Sequence, residues 1–110
     1  MKEISIFPNE SVQRVLLGTP TGHKHLRVFV EIDRHVFVFH EATLANLVRA
    51  YVTVKTHPRV DTLELTLEKS GQFRPGFAPA QLVEQNVPQK ELRKKLDDLF
   101  AELENASPSK

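Results

Sequence analysis

The stretch from His25 to Glu41, HLRVFVEIDRHVFVFHE, constrains the fold more than any other part of the chain. Leu26, Val28, Val30 and Ile32 alternate with His25, Arg27, Phe29 and Glu31, the repeat of a pleated strand. The run HVFVFHE follows after a turn around Asp33-Arg34. A two-residue or four-residue turn puts Glu31 opposite Val36 and Arg27 opposite His40. Leu26, Val28, Val30, Ile32, Phe37 and Phe39 then share one face, which reads as a core wall. The other face carries His23, His25, Arg27, Phe29, Glu31, Val36, Val38 and His40, neither plain solvent nor plain core. A three-residue turn would break this register, because a slip of one residue sends every side chain to the opposite face.

The segments flanking that hairpin carry weaker signals. Lys2 to Phe7 looks like a short strand closed by Pro8-Asn9. Residues 9–18 fit either a short helix capped by Asn9 and ended by Gly18, or a strand through Val12 to Leu17. The strong β character of the adjoining hairpin favours the strand. Thr43 caps a helix to about His57, where Pro58 stops it. Leu44, Leu47, Val48, Tyr51 and Val54 recur along it at helical spacing. VDTLELTLEK then alternates Leu63, Leu65 and Leu67 with Glu64, Thr66 and Glu68, as in a half-exposed strand. Strand, helix and strand in succession suggest a βαβ crossover, right-handed if the two strands are parallel neighbours.

From Ser70 the run SGQFRPGFAPA reads as an ordered loop pinned by Phe73 and Phe77, with a helical turn at Gln81 to Gln85 after it. Pro88 belongs to the first turn of a last helix reaching about Glu104, and ASPSK frays. The expectation is a single α+β domain with a mostly antiparallel sheet, one central helix packed on its apolar face, and a C-terminal helix. Residues 1–87 form its core, and residues 88–110 supply the amphipathic helix and tail.

Composition removes several function classes. The chain of 110 residues has no cysteine, which excludes disulfides, thiolate zinc sites and cysteine nucleophiles. Its formal charge of +1 exerts no general pull on nucleic acid or anionic lipid. No apolar run approaches the roughly 18 residues that span a bilayer, so no membrane partner is expected. MKEISIF lacks the apolar segment and cleavage site of a signal peptide, and a cytoplasmic location is the default expectation.

Local chemistry offers three candidate sites. His23 and His25, at i and i+2, point to one side of an extended strand, and His40 lies diagonally across from His25 in the hairpin register. Three neutral imidazoles would suit a zinc-like ion with an open fourth position, the centre of a metal-dependent enzyme. A lone HxH is more often a decorated hairpin rim. GTPTGHKH does not match the P-loop spacing, and a tight connection using Pro20 and the glycines is the simpler reading. Arg49, Lys55 and Arg59 gather towards the end of the central helix and form the basic patch for a nucleic-acid reading. No serine lies in a nucleophile elbow.

The last helix is the third candidate. Leu92, Leu96, Leu99 and Leu103 step by four, three and four, with Phe100 beside them. Lys90, Arg93, Lys94 and Lys95 precede Asp97, Asp98, Glu102 and Glu104, an order opposed to the helix dipole. Antiparallel pairing of two such helices would set each basic half beside an acidic half. Alternatively, Glu91 with Lys95 and Lys94 with Asp98 are i,i+4 pairs on a helix docked to its own domain. The expected function is therefore a small soluble interaction or binding module that self-associates as a homodimer, without catalysis or cofactor. Nucleic-acid binding and a histidine metal site are the alternatives.

Overall fold

The computed structural model describes residues 3–69 and 80–106. In chain order these form β1 (Val12–Gly18), β2 (Arg27–Ile32), β3 (His35–His40), α1 (Glu41–Thr56), β4 (Leu65–Lys69), β5 (Ala80–Glu84) and α2 (Gln89–Ala106). The strands make two antiparallel sheets, one ordered β1-β2-β3 and one of β4 with β5. The fold is α+β. The chain divides into two compact units, Met1–Leu47 and Val48–Lys110, with the division inside α1.

In the first unit, residues 9–18 combine a helical turn with a strand. Asn9–Ser11 form a 3-10 turn closed by Ser11 N–H donating to Pro8 O at 2.9 Å, and β1 begins at once. Its pairing with β2 sets Val15 opposite Val30 and Leu17 opposite Val28, with a register irregularity between Val12 and Arg14. The β2–β3 register is the one the alternation predicts, with Arg27 opposite His40 and Glu31 opposite Val36. Asp33 takes φ 56°, a left-handed conformation that aspartate tolerates and that hairpin turns favour. Val28 and Ile32 are buried on the predicted core wall.

The expected strand at Lys2 to Phe7 does not form over its described residues 3–7. Pro8, lacking an N–H, ends the run, and the segment contributes side chains instead. The Phe7 ring lies 5.6 Å from Phe37, whose ring also neighbours His35 at 6.2 Å.

Helix α1 starts at Glu41, two residues before the expected cap Thr43, and His57 N–H still donates to Thr53 O at 2.8 Å just before Pro58. The acidic first residue suits the positive end of the helix dipole. None of its sixteen residues is buried, and Leu47, Val48, Tyr51 and Val52 are exposed.

The second unit corrects two expectations. Ala80–Glu84 is a strand rather than a helical turn, pairing with β4 so that Leu67 faces Leu82 and Leu65 faces Glu84. Consequently β3 and β4 are not neighbours, and strand, helix and strand do not form a βαβ crossover. The strand next in sequence reaches β4 with a smaller loop-closure cost. The loop expected around Phe73 and Phe77, and the residues beyond Ala106, lie outside the described residues. Pro88 sits just before α2, its carbonyl accepting from the N–H groups of Glu91 at 3.0 Å and Leu92 at 3.1 Å.

Candidate functional site

Helix α2 is positioned by its first turns. Gln89 acts as a clamp: its Oε1 accepts from the N–H of Asp61 and of Thr62, both at 3.1 Å, while its Nε2 donates to Thr62 O at 3.0 Å. One side-chain amide thus satisfies three backbone groups, as a neighbouring strand would. Two ion pairs extend the attachment, Arg93 Nη2 to Asp61 Oδ2 at 2.7 Å and Lys95 Nζ to Glu64 Oε1 at 3.0 Å. The Arg93 hydrogen bond, followed by that of Thr62, holds the Asp61 carboxyl below the usual aspartate range. On the helix itself Lys94 pairs with Asp98 at 2.7 Å, which raises the ammonium above the usual lysine range.

These contacts occupy part of the basic half within one chain: Arg93 and Lys95 answer the acids Asp61 and Glu64 that precede β4. Of the two expected i,i+4 pairs, Lys94–Asp98 forms, whereas Lys95 turns to Glu64.

The leucine seam divides in the middle. Leu92 is 4% exposed, whereas Leu96, Leu99 and Phe100 are 42%, 55% and 57% exposed. Leu103 is half-buried. Between α2 and the strand side lies an open groove of about 300 Å³, lined by Leu63, Leu65, Leu92, Leu96 and Leu99 with Thr62, Glu64 and Lys95 at its polar positions. One end of the seam docks on its own unit, and the other leaves apolar side chains uncovered.

The hairpin histidines occupy a different kind of place. His23 N–H donates to Pro20 O at 2.9 Å, and Gly22 at φ 85° supplies the positive φ of a tight turn. Glu41 Oε1 accepts from Leu26 N–H at 2.8 Å and lies 3.7 Å from His25 Nδ1. GTPTGHKH is thus a turn tied to the start of α1. His23, His25 and His40 are all exposed, and no three His, Asp or Glu side chains are grouped to hold a metal ion among the described residues.

Arg49 and Lys55 stand on α1, and Arg59 lies just beyond it, its N–H donating to His57 Nδ1 at 3.0 Å. At 3.6 residues per turn, Arg49 and Lys55 lie roughly a third of a turn apart, so α1 does not align them in one stripe.

Sequence reasoning missed Gln89 and Asp61, and placed Glu41 near the histidines without its hold on the Leu26 backbone. Their partners lie far along the chain, and only a polar residue at the start of each helix hinted at a capping role. No family model matches the chain, and neither the curated proteins nor the solved structures include a match.

Proposed function

We propose that this protein is a non-catalytic interaction module that self-associates through the outer half of α2. The observation that carries this reading is the break in the leucine seam: Leu92 is buried while Leu96, Leu99 and Phe100 remain about half exposed on the same helix. The occupant is a second copy of α2, laid antiparallel. Lys90, Asp97, Glu102 and Glu104 make no ion pair among the described residues. Antiparallel pairing runs the basic start of one helix towards the acidic end of the other, so the charges select orientation while the apolar side chains supply the affinity. Fully burying a leucine is worth roughly 1.5–3 kcal/mol, and half of that remains to be gained at each exposed position. Exposed ion pairs add only about 0–1 kcal/mol each.

Sedimentation of the full chain across a concentration series tests this. The native protein is expected to associate, and the double variant Leu96→Asp/Leu99→Asp to lose that step while keeping its circular dichroism. A native protein that stays monomeric at high micromolar concentration refutes the reading.

A further inference from the structure

We infer that β3 is a second self-association surface, at which the three-stranded sheet continues into that of another copy through an antiparallel β3–β3 pair. The strand is an edge: it pairs with β2 on one side and makes no backbone hydrogen bond on the other among the described residues. All six of its residues are exposed, and its sequence HVFVFH holds no lysine, proline or glycine. Natural edges are normally blunted by such residues or by a bulge, because an open row of N–H and C=O groups recruits another strand. The opposite edge, β1, has such defences in the register irregularity between Val12 and Arg14 and in its terminal Gly18.

Hairpin geometry specifies the occupant. Ile32 and His35 flank the Asp33-Arg34 turn and form the hydrogen-bonded pair that closes it. Pairs alternate from there, so Phe37 and Phe39 also direct their backbone groups to β2. Val36, Val38 and His40 direct theirs outward. A partner must therefore be an extended strand offering outward groups at every second residue, and β3 itself does so. A two-fold axis through Val38 sets Val38 opposite Val38 of the second copy, and Val36 opposite its His40. Each outward N–H and C=O of these residues then finds a partner.

Side chains agree with that register. A two-fold perpendicular to the sheet keeps each face continuous, so Phe37 meets Phe39 of the second copy on one face and the Val38 pair lies on the other. Aromatic and β-branched cross-strand pairs of this kind favour pairing, and the register opposes no like charges from Val36 to His40. This surface is independent of α2.

The absence of native cysteine makes a register test direct. In a hydrogen-bonded antiparallel pair the opposed Cα atoms are about 5.5 Å apart, within disulfide range. Val38→Cys in the full chain is therefore expected to cross-link to a second copy on mild oxidation. Val36→Cys, four residues from its counterpart, is expected to cross-link at least about tenfold more slowly, since Cα separations beyond ~7 Å cannot be bridged. The contrast should survive in the Leu96→Asp/Leu99→Asp background, which separates this surface from α2. Val38→Lys, which opposes two ammonium groups on the axis, should leave the fold intact and remove the concentration dependence of amide protection at Val36, Val38 and His40. Equal cross-linking at the two positions overturns the inference. So does amide exchange at those residues that is independent of protein concentration, the result expected if the edge is bare or takes a different extended chain.

Discussion

Truncating Leu92 and Leu99 to alanine separates the two roles assigned to α2. Leu92 is 4% exposed, so Leu92→Ala removes a buried side chain and leaves a void. Leucine-to-alanine changes at such sites cost about 2–5 kcal/mol, the higher values reflecting cavities that stay closed and empty. Here the vacated space merges with the open groove of about 300 Å³ that Leu92 already lines, so water fills it. The expected cost is therefore near the lower limit, about 2–3 kcal/mol. With a urea slope of about 1–2 kcal/mol/M, the midpoint falls by roughly 1–3 M. Leu99, 55% exposed, has much less to lose within one chain, and Leu99→Ala should cost under about 1 kcal/mol in dilute solution. Its effect should emerge as a lost concentration dependence of stability, since an interface stabilises by mass action. Urea titrations monitored by circular dichroism at about 1 and 100 μM distinguish the cases. If Leu99→Ala costs as much as Leu92→Ala at the lower concentration, the whole seam belongs to one chain and the division is wrong.

Individual contacts supply three further expectations. Asp33 holds φ 56° in the hairpin turn, so Asp33→Val should destabilise by about 1–2 kcal/mol while Asp33→Asn is tolerated, measured by thermal unfolding. Arg93 lowers the Asp61 pKa in the folded state, so the pair stabilises fully above the ordinary aspartate pKa, and that contribution is lost as pH falls through the lowered value. Arg93→Ala should accordingly reduce stability at neutral pH and flatten its decline in acid, whereas an unchanged acid limb contradicts the pairing. Zinc should leave the melting temperature unmoved, because the described residues bring no three ligands together; a shift abolished by His25→Ala with His40→Ala would reverse that expectation.

The hairpin was legible because β2 alternates and the Asp33-Arg34 turn carries its parity into the β-rich run of β3. Val28 and Ile32 fall on the predicted wall for that reason. β5 was not legible, since AQLVE is too short to separate a strand period from a helical one, and only β4 beside it decides. The leucine seam was visible as a pattern, but periodicity cannot say where docking stops. That boundary depends on Gln89, Arg93 and Lys95 meeting backbone and acids between Asp61 and Glu64. Likewise, GTPTGHKH displayed its turn chemistry openly, while the role of Glu41 in holding Leu26 depended on a contact the turn itself creates.

Both sheets join only strands that are consecutive in sequence. Local pairings close small loops, which lowers the entropic barrier and favours rapid formation. During synthesis the β1-β2-β3 meander can therefore assemble as soon as His40 has emerged, before β4 and α2 have left the ribosome. Nascent chains on neighbouring ribosomes of one message would then expose the β3 edge at high local concentration, ahead of the helix proposed to carry the other contact. The chain order thus presents the β3 edge before either helix.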